Sequence, residues 1–112
     1  MEHIEHINKI ELQGRVGTVR VNEHNGSKVV NFTMVTDFLY KTREGGAVNE
    51  SMWHNIVAWK GRDVQDLDRI EKGVHVYVTG RLRINRFTSE DGAEKQYYEV
   101  MAGKVRVLDE HH

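Results

Sequence analysis

Ten glycines and no proline divide this chain into short stretches in which apolar and polar side chains alternate, and that punctuation points to strands joined by tight turns. The first stretch runs from Ile7 to Asn22, with Gly14 and Gly17 placed where a long strand bends or bulges. His24-Asn25-Gly26-Ser27 ends it, and Asn-Gly is a strong hairpin signal. Lys28 to Val35, with an extension towards Tyr40, has the β-branched and aromatic content of a second strand. Thr42 to Glu50 reads as a long mobile loop, and Met52 to Trp59 as the third strand. His75 to Phe87 makes the fourth, Ser89-Glu90-Asp91-Gly92 a turn, and Lys95 to Val107 the fifth. Only between Gly61 and Lys72 do apolar residues, Val64, Leu67 and Ile70, recur at helical spacing, with Gly73 as the stop.

Five strands with one short helix between the third and fourth is the layout of the OB-fold, an all-β Greek-key barrel that commonly holds oligonucleotides or sugars. At 112 residues the chain supports one such domain, expected over residues 8–108, with a flexible segment 1–7 before it and a short end 109–112 after it. The absence of cysteine excludes disulfide scaffolds, thiolate zinc sites and thiol nucleophiles. No stretch reads as a signal peptide or has the roughly 18 apolar residues that a membrane span requires, so a cytoplasmic protein is expected. With 16 basic and 17 acidic residues the formal charge is −1, so any nucleic-acid surface must be local.

A local surface of that kind is visible in the aromatics. Alternation along the fourth strand puts Val76, Val78, Gly80, Leu82 and Ile84 on one face, expected to be core, and Arg81, Arg83, Asn85 and Phe87 on the other. Arg86 lies beside them, and no carboxylate falls between Val74 and Phe87. On the third strand Trp53, Asn55, Val57 and Trp59 share a face, with Lys60 and Arg62 directly after. Aromatics beside cations suit unpaired nucleic acid, because every base has a π-face to stack and every nucleotide a phosphate to neutralise. A solvated face with an edge Phe, and tryptophans acting as core or interface anchors, are the competing readings. Tyr40, followed by Lys41 and Arg43, has the same character, but strict alternation groups it with Phe32 and Met34, and a bulge or strand end near Asp37 is needed to turn it outward.

The stretches Asn8-Lys9-Ile10-Glu11-Leu12-Gln13-Gly14-Arg15-Val16-Gly17, Trp53-His54-Asn55-Ile56-Val57 and Lys72-Gly73-Val74-His75-Val76-Tyr77-Val78-Thr79-Gly80-Arg81-Leu82-Arg83, in this order, resemble the bacterial single-stranded DNA-binding proteins, and the likeness spans Asn8 to about Leu108. The resemblance implies an OB-fold that assembles as a homotetramer and protects unpaired DNA in replication, recombination and repair, near the nucleoid and without catalysis or a cofactor. It implies that Tyr40, Trp53, Trp59 and Phe87 stack bases and that His54 lies at a subunit contact. Lys41, Arg43, Lys60, Arg62, Arg81, Arg83 and Arg86 are then the expected phosphate ligands. Two substitutions depart from the common family pattern, Tyr at 40 for Trp and Trp at 59 for Phe, and either ring stacks. The family's usual flexible tail with an acidic tip does not follow Leu108-Asp109-Glu110-His111-His112. Two readings stay open there, a shortened chain ending in tag-derived histidines or a short variant without the recruiting tip.

Other chemistry is weaker. His3 and His6 beside Glu2 and Glu5 have metal-ligand side chains, but terminal residues fray. Asp63, Asp66 and Asp68 read as the solvated start of the helix. Asp37, Glu50 and His54 are nominees for a metal-dependent nuclease that nothing brings together in sequence. The alternatives from other classes are an OB-fold adaptor for a protein partner in a replication-restart assembly and an OB domain that binds RNA.

Overall fold

The computed structural model describes residues 3–61, 64 and 67–108. Five antiparallel-rich strands, β1 (Ile10–His24), β2 (Ser27–Lys41), β3 (Ala47–Trp59), β4 (His75–Thr88) and β5 (Glu94–Leu108), close into a barrel in the order β1-β2-β3-β5-β4. Closure comes from antiparallel β1–β4 pairing, from Ile10 opposite Gly80 to Arg15 opposite His75, and from one parallel contact, β3 with β5, at Ile56–Ala58 and Val100–Ala102. The all-β barrel expected from the sequence is the fold observed.

The turn residues act as their chemistry dictates. Asn25 and Gly26 both take positive φ, 52° and 82°, which a two-residue hairpin between His24 and Ser27 requires. The β1–β2 register slips between Val16 and Val19, so the bulge foreseen around Gly17 is present. Val16, Val30, Phe32, Met34, Ile56, Val76, Val78 and Val100 fill the interior. Val64, Leu67 and Ile70 pack into the same core, as their spacing predicts. Instead of the expected helix, the described part of that connection carries a single 3-10 turn, Leu67–Arg69. Asp63 and Asp66 lie outside the described residues.

Two departures from the sequence reading matter for the site. β3 begins at Ala47, not Met52, so residues 47–50 of the expected mobile loop are a ladder, and only residues 42–46 turn. Because β3 and β5 run parallel and meet only near the end of β3 and the middle of β5, their leading parts leave the barrel at the same end. Each is carried by its antiparallel partner, giving a β2–β3 arm and a β4–β5 arm.

Leu82 and Ile84 are the second departure: the expected core positions are 39% and 40% exposed. β4 follows its barrel neighbours only as far as Gly80, where a register shift interrupts the β4–β5 ladder and the chain passes hard against the backbone of Met101. Beyond that point β4 belongs to the arm, and alternation there no longer separates core from solvent.

Candidate nucleic-acid interface

β3 is paired residue for residue with β2, Val29 opposite Trp59, Asn31 opposite Val57, Thr33 opposite Asn55 and Val35 opposite Trp53, so these side chains share one outer face. Both tryptophans stand on it as expected, Trp53 60% exposed and Trp59 40% exposed. Trp53 leans over β1 at Gly17, where an added Cβ would lie 2.5 Å from the indole Cζ3. Trp59 meets the His24 ring edge-on, with centroids 6.2 Å apart. Thr18 and Thr33 are hydrogen-bonded between the two strands, Oγ1 to Oγ1 at 3.0 Å and Thr18 N–H to Thr33 Oγ1 at 2.9 Å. An open groove over this face is lined by Trp59, Asn31 and Val57 from one side and by Asn85, Tyr97 and Glu99 from the other.

On the β4–β5 arm, Arg81, Arg83 and Phe87 are exposed and share a side, as alternation predicts. The charge balance of that side differs from the reading of β4 alone, because β5 places Glu99 directly opposite Arg83. The buried Glu99 carboxylate accepts at Oε1 from Arg83 Nε (2.9 Å), from Arg83 Nη2 and from Asn85 Nδ2 (2.9 Å). Removing the Glu99 carboxylate from water is offset only by such dense donation, so the half-exposed Arg83 is held in place and part of its charge is compensated. Arg81 and Arg86 carry no such carboxylate partner on β5: their opposite residues are Met101 and Gln96.

Tyr40 is 41% exposed, yet no bulge turns it outward. The β2–β3 ladder is unbroken from Val29 to Lys41, so Tyr40 stays in phase with Phe38, Met52 and His54, on the side opposite Trp53 and Trp59. It is exposed because the arm has left the barrel, and its ring lies 6.2 Å from that of Phe38, itself 67% exposed. Lys41 and Arg43 are exposed at the tip of this arm and Lys60 just after β3. Arg62 and residues 109–112 lie outside the described residues.

His54 is half-buried on the inner side of β3, with Nε2 2.9 Å from Thr36 Oγ1, and burial holds its pKa below the ordinary 6.5. The sequence reading missed Tyr97 and Tyr98, which are 41% and 57% exposed on β5. The signal was present: adjacent residues of a strand face opposite ways, so a Tyr-Tyr pair always places one ring on each face.

Residues 7–108 match the model of the single-strand binding protein family. The chain belongs to that family. Among curated members it is 31% identical over 105 residues to the single-stranded DNA-binding protein of Neisseria meningitidis, and 34% identical over 106 residues to single-stranded DNA-binding protein 1 of Chlorobaculum tepidum. Each alignment covers 91% of this chain but only 60% and 65% of the relative, so the chain spans under two thirds of their length. A solved Plasmodium falciparum SSB complex with ssDNA superposes with a TM-score of 0.79 at 29% identity, covering 96% of this chain and all of that one. The single-stranded DNA binding protein of Thermus aquaticus, 21% identical, shares the fold with a TM-score of 0.75 over 92% of this chain and 51% of that one.

Proposed function

We propose that this chain binds single-stranded DNA without reading its sequence and protects it during replication, recombination and repair, by binding and not by catalysis. The observation that carries this reading is the outer face of β3, where Trp53 and Trp59 stand exposed on one face and Trp59 lines a groove whose other side is the Arg83 and Tyr97 face of the β4–β5 arm. Burying an aromatic stabilises a fold, and a chain that leaves two tryptophans in water on one face gains from them only when something stacks there. Bases do so for about 1–3 kcal/mol each, and duplex does not offer them. The family membership and the likeness to a Plasmodium SSB in complex with ssDNA support the same ligand.

Trp53, Trp59 and Phe87 are the stacking residues of this reading, and Tyr40 contributes from the far side of its arm, where a strand must pass around the arm to reach it. Lys41, Arg43, Lys60, Arg62, Arg81 and Arg86 neutralise phosphates, with Arg83 a weaker contributor because Glu99 already holds it. The assembly is a homotetramer in which His54 lies at a contact between copies; the exposed Phe38 and Met52 in phase with it support this placing. The site of action is the cytoplasm, at the nucleoid. Titration of the intrinsic tryptophan emission with a poly-pyrimidine strand tests the reading: quenching by single strands that weakens with salt is expected, and equal quenching by matched duplex overturns it.

A further inference from the structure

Tyr97 sits on β5 opposite Asn85, two pairs along the ladder from Phe87 opposite Lys95 and two from Arg83 opposite Glu99, so its side chain joins the DNA-facing side of the β4–β5 arm. It contributes little to the core, being 41% exposed. Nevertheless it is held. Its ring meets that of Phe87 edge-to-face, with centroids 6.1 Å apart and planes at 63°. Its hydroxyl accepts from Asn85 Nδ2 at 3.0 Å, and the same nitrogen also donates to Glu99 Oε1 at 2.9 Å. Both amide hydrogens of Asn85 are thereby committed, and the buried carboxylate that anchors Asn85 also anchors Arg83.

An exposed ring fixed at its edge and at its hydroxyl has already given up the freedom that binding would otherwise cost. The groove it lines carries Trp59 on its other side, with Asn31 and Val57 also lining it. We propose that Tyr97 is a further base-stacking residue, taking one unpaired nucleobase in the groove it shares with Trp59, and that Asn85 and Glu99 are positioning residues for its ring. This rests on the single-strand reading above. Tyr98, on the opposite face of β5, takes no part.

The test places the only indole at the proposed site, with Tyr97→Trp in a chain carrying Trp53→Phe and Trp59→Phe, which keep stacking rings at both positions. Quenching on titration with a poly-pyrimidine strand, followed in parallel by the anisotropy of a labelled oligonucleotide, is expected. Retention of the oligonucleotide with unchanged emission overturns the proposal while leaving the single-strand reading intact; no retention by the unmodified protein overturns both. In the otherwise unmodified chain, Tyr97→Ala weakens binding by about fivefold or more, the loss of one stacked base, and Tyr97→Phe, which keeps the ring but gives up the bond to Asn85, loses less than Tyr97→Ala and no more than Asn85→Ala. Asn85→Ala lowers affinity only while Tyr97 is present. Costs that simply add in the double variant overturn the positioning role.

Discussion

The indole of Trp53 on β3 occupies the space above Gly17 on β1 that any side chain would need: a Cβ at that position lies 2.5 Å from Cζ3, 3.0 Å from Cη2 and 2.8 Å from Thr33 Oγ1. The crowded atoms are the far end of an exposed side chain and the Thr33 hydroxyl that is bonded to Thr18, so Gly17→Ala swings Trp53 away and disturbs the Thr18–Thr33 bonds, while no backbone atom has to retreat. Binding bears the consequence. We expect a stability loss of about 0.5–1.5 kcal/mol, the worth of the disturbed Thr18–Thr33 hydrogen bonding. Single-strand affinity falls by about fivefold or more if the displaced indole no longer stacks. Unchanged tryptophan quenching in Gly17→Ala would show that the indole does not need this seat.

Gly14 and Gly80 present the opposite case, because there a Cβ meets backbone. At Gly14 it would lie 2.0 Å from the Val35 carbonyl oxygen, and at Gly80 2.1 Å from that of Met101. Strands in a closed barrel cannot retreat without breaking their ladders, so each Gly→Ala substitution destabilises by about 1–3 kcal/mol or more, as overpacking does. Chemical denaturation of the two variants checks this, and a loss at Gly17 as large as at Gly14 or Gly80 would remove the distinction between seat and scaffold.

The barrel was legible because period-two alternation and turn chemistry are local: Asn25-Gly26 forms its hairpin from its own backbone preference, and Val76 and Val78 face inward because neighbours on both sides fix them. What escaped depends on where strands leave the barrel. Alternation assigned Leu82 and Ile84 to the core correctly as to side, but a side is core only while another layer covers it, and past Gly80 none does. The same extension exposes Tyr40 without the bulge that alternation demanded. Trp53, Trp59, Phe87 and the cations were legible as a pattern; the Glu99 counter-charge was not, since it comes from a neighbouring strand whose register no local pattern reveals.

That counter-charge has a measurable consequence. Arg83 shares its guanidinium with buried Glu99, whereas Arg81, on the same side of the arm, faces Met101. Each phosphate neutralised on a single strand contributes about −0.7 to the slope of log affinity against log salt. Arg81→Ala therefore lowers the magnitude of the slope by about 0.7, while Arg83→Ala lowers it by less. Glu99→Gln keeps an acceptor for Asn85 and releases the charge of Arg83, so binding tightens at low salt and the slope steepens. A slope that is the same in Glu99→Gln and the parent would mean that Arg83 does not reach the strand.

His54 supplies the pH dependence. Burial disfavours its charged form, so its pKa in the folded chain lies below the ordinary 6.5 it has when unfolded. Stability from this group is complete above 6.5 and is lost as the pH falls below that value, because the unfolded chain then binds a proton that the folded chain resists. Nε2 lies 2.9 Å from Thr36 Oγ1, and Gln at position 54 has an amide able to keep such a bond without titrating. The melting temperature of the parent is therefore expected to fall more between about pH 7.5 and about pH 5.5, a window that brackets the unfolded value, than that of His54→Gln. Other histidines titrate in both proteins, so the difference between the two isolates this one residue. Parallel curves would place the acid sensitivity elsewhere in the chain.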